Sequence, residues 1–553
     1  IHERGIYLFE RLNKLKARYP EVIREVRGAG LMIGLELDVE HPASPLIGCL
    51  VDQNMLGWVI AGFMLQKFQI RIAPTLSNSN TLRLQPPACI TEEDCDFLCV
   101  GLDALCSILS RGNSYALTEF LLPPSTSKPE NEALIKSYRA AYSQPANVPD
   151  DIHHVGFIGH FAQAADISKW DQGLEGFSEQ QAAKLLDRLY PMADLSKFKP
   201  LVIESPTGKK VCLHFIGLFA DSNVTARYLR AKRPNIIHSK IEQGVRYAEE
   251  IGCNVVGLGG HTSIITRNAK NLKPQSIGLT TGNSLTVGMS VEATREAATQ
   301  KGISLETCCF ACIGATGNIA QTYNEIISEY APKMILIGRV GSEPRLKICA
   351  EKIYYAAYES ICQQSVTELE GIAREIVNTE AVNALRRKLV NVGESSIGEY
   401  LFESLGEELH ERTPIQITTD MKELTKANII ATASSSADVI LHPGLIEQSP
   451  SVICDIAVPR DTDPEAFKQR PDITVFQGGV VKLPLNADFQ IEGLPLEQGI
   501  TFACISETLL LGLEGHSAHF SYGNINRKQV KTIMQIANKH GFKLARLKTE
   551  NAY

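Results

Sequence analysis

Residues 307–330 constrain what this chain can fold into more than any other stretch. Thr307-Cys-Cys-Phe-Ala-Cys-Ile313 is a continuous apolar run, and Gly314-Ala315-Thr316-Gly317 follows it at once. Asn318-Ile319-Ala320 then opens a segment that reads as helix through Tyr330. Apolar strand, glycine turn and helix in direct succession form the opening unit of a doubly wound parallel sheet. The glycines permit a tight turn and close approach of backbone to an anion. The helix N-terminus adds unpaired N–H groups and a partial positive charge. A lone glycine pattern carries little weight, but here the strand before it and the helix after it supply the context for a dinucleotide site.

The next strand, Met334-Ile-Leu-Ile-Gly338, ends in Arg339. Asp or Glu at that place suits the ribose hydroxyls of NAD, whereas a guanidinium suits the 2′-phosphate of NADP, so NADPH is the expected cofactor. Two further turns would close over it. One is Ala431-Thr-Ala433-Ser434-Ser435, after the strand Asn428–Ile430; the other is Gly478-Gly479-Val480-Val481.

At 553 residues the chain exceeds one compact core, and three or four domains are expected. A net charge of -7 argues against a nucleic-acid binder, which would carry a basic surplus on one face. The longest apolar stretch, Met55–Leu65, is shorter than the roughly 18 residues that span a bilayer. No secretory signal opens the sequence, so a cytoplasmic location and free thiols are expected for the 14 cysteines. Cys308-Cys309-x-x-Cys312 lacks a matching second pair and sits on a strand whose neighbours point to opposite faces. It reads as packing, and no metal site is expected. Ile1 falls where a helix is about to begin, which reads as a piece of something longer.

Five segments follow from composition and periodicity. Residues 1–110 form an α+β unit with an amphipathic helix over Ile6–Arg18, a strand over Gly30–Leu37 and an acidic helix start at Thr91. Residues 111–150, with two Pro/Ser-rich stretches, read as linker. Residues 151–300 begin at the short strand Val155–Gly159 and form an α/β substrate domain. Residues 301–490 are the Rossmann-like NADPH domain. Residues 491–553 read as helical, over Phe502–Leu513 and Arg527–His540.

Cys504 lies in Gly499-Ile-Thr-Phe-Ala-Cys504-Ile-Ser-Glu507, in the first turn of an expected helix. A helix macrodipole lowers a thiol pKa there, and Glu507 follows three residues on along the same face. Composition alone would make such a cysteine core packing.

The motifs around it change that weighting. In order along the chain stand Gly156-Phe-Ile-Gly-His160, Ser205-Pro-Thr-Gly208, Gly257-Leu-Gly-Gly-His261-Thr-Ser263 and Thr280-Thr-Gly-Asn283. Gly314-Ala-Thr-Gly-Asn-Ile319, Gly478-Gly-Val-Val481, Phe502-Ala-Cys504 with Glu507, Glu514-Gly515 and Phe520-Ser521 complete the series. From about residue 153 onward the chain resembles the long-chain acyl-[acyl-carrier-protein] reductases of the cyanobacterial alkane pathway. Cys454-Asp-Ile-Ala-Val-Pro-Arg-Asp461 also resembles glutamyl-tRNA reductases. The resemblance implies that the Cys504 thiolate takes the acyl group from the phosphopantetheine arm of an acyl carrier protein, and that NADPH reduces the resulting thioester to an aldehyde. It gives Ser263 and Asn283 the task of orienting the acyl carbonyl. Where the family carries a histidine this chain has Ser517, so an imidazole acid or base would come from His516, His519 or His261.

Tyr19-Pro-Glu-Val22, Val26-Arg-Gly-Ala-Gly-Leu-Met-Ile-Gly34 and Leu82-Arg83-Leu-Gln-Pro-Pro87 resemble the C-terminal small domain of class III, pyridoxal-phosphate-dependent aminotransferases. Arg83 would then bind a substrate carboxylate. An upstream large domain would supply the lysine for pyridoxal phosphate (PLP), so PLP is expected only in a longer parent, which would transaminate the aldehyde to an amine. Arg227-Tyr-Leu-Arg-Ala-Lys-Arg233 is a basic cluster suited to an acidic carrier protein. Two other readings stay open: an NADP-dependent dehydrogenase without a covalent thiol, and a non-catalytic scaffold that binds a carrier protein.

Overall fold

The computed structural model describes residues 1–123 and 152–547, apart from residues 39, 41, 232–234, 274–275, 390–391, 437, 492 and 495. Most of the expected linker, and Lys232 and Arg233 of the basic cluster, lie outside the described residues.

The first part is α+β. Helix α1 (His2–Arg18) buries Leu8, Leu12 and Leu15, the stripe its periodicity announces. Strands β1 (Ile23–Ala29), β2 (Met32–Leu37), β3 (Ala73–Pro74) and β4 (Thr81–Leu84) form an antiparallel sheet of order β1-β2-β4-β3. Helix α2 (Glu92–Arg111) starts at a capping box in which Thr91 and Asp94 satisfy each other's backbone N–H groups. Gly112 in the left-handed conformation ends it.

The second sheet collects β5 (His153–Phe161), β6 (Ser196–Lys197), β7 (Leu201–Glu204), β8 (Lys210–Asp221), β9 (Val255–Leu258) and β10 (Gly278–Thr280). Its order is β10-β9-β5-β8-β6, with β7 also on β8; the four strands β10, β9, β5 and β8 run parallel. Helix α3 (Asn235–Glu250) covers one face, where Gly156 and Gly244 let strand and helix approach.

This sheet shares an apolar core with the first part of the chain. Leu46, Leu50 and Leu117 pack in one cluster with Ile167, Trp170 and Leu189. A buried polar knot lies at the junction. Asp171 accepts from Ser114 Oγ at 2.8 Å, from the Leu46 N–H at 3.1 Å and from the Gly173 N–H at 2.8 Å. Ser44 Oγ lies 2.7 Å from Ser114 Oγ.

Helix α4 (Asn283–Gln300) leads to the third sheet: β11 (Cys309–Ile313), β12 (Lys333–Ile337), β13 (Ile415–Thr418), β14 (Ile429–Thr432), β15 (Ser451–Asp455) and β16 (Ile473–Gln477). All six strands are parallel in the order β13-β12-β11-β14-β15-β16. The chain winds outward in one direction from β11, returns, and winds out from β14 in the other. That is the Rossmann order, with a topological switch point between β11 and β14. Helix α5 (Asn318–Ile327) follows β11 and ends three residues before Tyr330.

The last part departs from an all-helical tail. Strands β17 (Val480–Lys482), β18 (Ile500–Phe502) and β19 (Lys543–Leu544) pair antiparallel around helices α6 (Ala503–Leu513) and α7 (Arg527–Lys539). Among the described residues no single helix is long and apolar enough to cross a membrane.

Candidate functional site

The switch point gathers the residues expected to hold the dinucleotide. Gly314 (φ +74°) follows β11, and a Cβ there would press into Ala433 O and Ser434 Cα at 2.9 Å. The turn 314–317 and the turn 433–435 therefore touch across the β11/β14 seam. Gly314 and Ala315 donate their N–H groups to Ile337 O, and Gly317 donates to Gly314 O at 3.0 Å. Gly317 begins α5 with no side-chain cap. The first-turn N–H groups at Asn318 and Ile319 thus face the switch point without a capping side chain, which fits a pyrophosphate. Arg339 stands exposed past β12 and donates to Ser435 Oγ at 3.4 Å. Gly478, Gly479 and Val480 follow β16 on the same edge of the sheet.

Two of these residues also carry structural duties. Asn318 donates to Gly523 O and accepts from the Ile525 N–H, tying α5 to the loop before α7. Ser434 donates both its N–H, at 2.9 Å, and its hydroxyl to Asp461. Burial pushes the Asp461 carboxyl up to about 6.

Cys504 is the second residue of α6, as its sequence context implies. Phe502 leaves that N-terminus without a side-chain cap. The N–H of Ala503 donates to Gly479 O at 2.8 Å, so the helix of Cys504 hangs from the glycine turn of the third sheet. From the other side, Gly282 (φ +73°) lies against Cys504: a Cβ on Gly282 would sit 2.2 Å from Cys504 Cα. Only glycine lets the start of α4, with buried Asn283, meet the start of α6.

The expectation of a lowered thiol pKa is overturned. Burial pushes the Cys504 thiol up to about 12, and Glu507 acts in the same direction, while the backbone N–H of Ile505 opposes both. A helix terminus contributes about 1 kcal/mol, under one pKa unit, whereas burial shifts a group by up to about 3–5 units. Burial wins, even though the residue keeps some solvent exposure.

Glu507 has 0% exposure and its oxygens are committed. It accepts from Thr280 Oγ1 and, at 2.8 Å, from the Leu285 N–H, an orphan donor in the first turn of α4. Burial raises its carboxyl above the ordinary carboxylate range, against those hydrogen bonds and others from Ser521 and Gly282. Glu507 thereby ties α6 to Thr280 and to the first turn of α4.

The remaining expected residues divide. Ser263 is buried and donates to Gly260 O at 2.9 Å. His519 is exposed, accepts the Leu279 N–H on Nδ1 at 3.1 Å and stacks on Tyr522. His261 is buried. Its Nδ1 lies 2.6 Å from Thr225 Oγ1, its backbone N–H donates to His160 Nε2, and burial lowers its imidazole to about 4. Ser517 is exposed, and the half-buried His516 lies edge-on to Phe520. Arg83 is exposed on β4, paired in register with Gly34 and Ala73. In the basic cluster, Arg227 is joined to Asp187 at 2.8 Å and Arg230 is exposed. All fourteen cysteines are free. Cys308 and Cys312 pack into the core of the third sheet.

Reading single residues for chemistry passes over Gly282 and Thr280. Their signal is the strand–glycine–helix junction Thr280-Thr-Gly-Asn283, the same grammar as the turn at 314–317.

Fold and site together define a doubly wound α/β protein with a cysteine-bearing helix suspended from the glycine turn that follows β16. No protein-family model matches the sequence. It is 23% identical over 410 residues to the long-chain acyl-[acyl-carrier-protein] reductase of Synechococcus elongatus, a match covering 70% of this chain and 97% of the reductase. It is 24% identical over 310 residues to the aminotransferase PigE of Serratia sp., covering 55% of this chain and 30% of that protein. A putrescine aminotransferase of Pectobacterium atrosepticum is 34% identical over 91 residues, 16% of each chain. The chain thus spans nearly the whole reductase but under a third of these aminotransferases. It combines a reductase-related part with an aminotransferase-related part.

Proposed function

We propose that the chain reduces a carrier-bound acyl thioester to an aldehyde through an acyl-enzyme on Cys504, with NADPH held at the β11/β14 switch point. The observation that carries this reading is the hydrogen bond from the Ala503 N–H to Gly479 O, beside the close approach of Gly282. Together they fix a cysteine at the meeting of two helix N-termini, on the edge of the sheet that would hold the cofactor.

The nucleophile rests protonated. In the first step the Cys504 sulfur forms a bond to the thioester carbonyl carbon, the carbon–sulfur bond to the carrier arm breaks, and the thiol proton leaves with the carrier's sulfur. Negative charge on the carbonyl oxygen meets the partial positive ends of α4 and α6. NADPH, when held at the β11/β14 switch point, would supply a hydride to that carbonyl carbon. The hemithioacetal alkoxide that results would collapse, breaking the bond to Cys504 and releasing the aldehyde, and the Cys504 thiolate so freed would take one proton from water. Glu507 and Gly282 hold the two helix ends in register throughout. Covalent capture turns one difficult reduction into two easier steps.

Gly314, Ala315, Thr316, Gly317, Asn318 and Ile319 would cradle the pyrophosphate, Arg339 the 2′-phosphate, and the turns at Ala433–Ser434 and Gly478–Val480 would close the site. In a longer parent, residues 1–110 would complete a PLP-dependent aminotransferase, with Arg83 on a substrate carboxylate, and the aldehyde would be its amino acceptor. The location that fits such a system is the cytoplasm.

Intact-mass measurement after mixing with acyl thioesters tests the reading. The expected result is a single acyl adduct, lost in Cys504→Ser and discharged by NADPH. Aldehyde formation that survives in Cys504→Ser would instead select the dehydrogenase reading.

A further inference from the structure

The parallel pairing of β5 and β8 places His154 opposite Cys212, and His214 stands two residues further along β8. With a strand period of two, Cys212 and His214 project to one face, beside His154. His154 Nδ1 lies 2.8 Å from His214 Nε2, and Cys212 Sγ lies 3.7 Å from that same nitrogen. All three ligand atoms fall within 4.8 Å of one another, and among the described residues no other group of three His, Cys, Asp or Glu converges in this way.

We propose that His154, Cys212 and His214 bind one zinc-like divalent cation in a tetrahedral site whose fourth position is open. Zinc–nitrogen and zinc–sulfur bonds of about 2.05 and 2.3 Å put tetrahedral nitrogens about 3.3 Å apart and sulfur about 3.6 Å from nitrogen. The spacing of Cys212 Sγ from His214 Nε2 already matches, and the two imidazoles need to part by only about half an ångström. Their rings are inclined by only 25°, with the two nitrogens facing each other across one shared proton. A cation would take that proton's place. The proton moves to the outer nitrogen of the same ring, so the only proton released is that of the Cys212 thiol. Two neutral imidazoles and one thiolate are a donor set that favours zinc over magnesium or calcium. Both histidines are half-buried, which leaves a path for the ion, and all three residues sit on paired strands.

The site cannot serve Cys504 directly. Val155 and Val211 face α6 at Gly512, near the C-terminal end of that helix, whereas Cys504 begins it. His154 and Cys212 alternate with those valines and so point to the opposite face. The inference is therefore independent of the reductase reading. Residues 154 and 214 are 60 positions apart, outside any local spacing signature, and the expectation of no metal considered only Cys308–Cys312.

Cobalt titration of the full chain after chelator treatment tests the proposal. One equivalent should produce a thiolate-to-cobalt charge-transfer band and tetrahedral visible bands, and zinc should bleach both. Cys212→Ser should abolish the charge-transfer band. His214→Ala should weaken cobalt binding by ~100-fold or more, since even outer-shell partners cost 10–100-fold. Should the cysteine variant fail to fold, His154→Gln provides the second reading: weaker affinity with the charge-transfer band kept at saturation. Zinc should also raise the melting temperature of the wild type but not of Cys212→Ser. A wild type with no charge-transfer band, or a band that persists in Cys212→Ser, overturns the proposal.

Discussion

The absent side chain of Gly282 is what brings Cys504 to the start of α4, since a Cβ there would lie 2.2 Å from Cys504 Cα. Gly282→Ala must both force an L residue to φ +73° and push two helix ends apart. It should cost about 1–3 kcal/mol and stop acylation of Cys504. Thermal melting and adduct yield read the two effects separately.

Glu507 gives a graded pair of variants. Glu507→Ala orphans the Thr280 hydroxyl and the Leu285 N–H, each a loss of about 1–3 kcal/mol, so urea midpoints should fall sharply. Glu507→Gln keeps an acceptor and the shape, and should lose much less. Equal losses in the two variants would mean that the charge, not the hydrogen bonding, matters.

A thiol held near 12 is almost wholly protonated at neutral pH. Alkylation of Cys504 by iodoacetamide at pH 7 should run about a thousand-fold slower than for a free cysteine and rise tenfold per pH unit. Peptide mapping of the alkylated protein separates Cys504 from the exposed Cys89 and Cys362.

His261 provides the acid-side test. Its folded pKa of about 4 lies below the ordinary 6.5, so on acidification the unfolded chain takes up a proton before the folded chain does. Stability is therefore intact above about pH 6.5 and falls toward pH 4, by at most about 3 kcal/mol from this residue. His261→Phe should flatten that slope in denaturant titrations at pH 7 and pH 4.5. Thr225 keeps a partner in Ser222 O, at 2.8 Å, which makes the variant a fair comparison.

Arg339→Asp should weaken NADPH binding by about 10–100-fold and favour NADH, the worth of one or two charge-assisted hydrogen bonds to the 2′-phosphate. Fluorescence titration with both nucleotides checks it. Unchanged discrimination would leave Arg339 as a solvated strand end whose guanidinium donates to Ser435.

Much of this architecture was legible where one signal dominated. The run Thr307–Ile313 and its glycines announce β11, the turn and α5, because a buried parallel strand is apolar throughout and the turn admits little but glycine. The hairpin at Gly30–Leu31 was less visible. Gly30–Leu37 reads as one strand, yet the partner β1 is Ile23-Arg-Glu-Val-Arg-Gly-Ala, an edge strand with only Ile23 and Val26 buried. The tail from 491 reads as helix because its strands are two or three residues long, too short for any period to show. At the site, the place of Cys504 on its helix was readable but its protonation was not. Burial by residues hundreds of positions away sets that, and a local macrodipole argument has no access to it.

Asp171 accepts from Ser114 and Leu46, both before position 123, as well as from Gly173 in its own neighbourhood. Pulling residues 1–123 away from the second sheet would take those two donors from a buried carboxyl and uncover Leu46, Leu50 and Leu117. An exchange of either part would have to keep the partners of Asp171 at that seam. What resembles two proteins elsewhere is, at that seam, one interior.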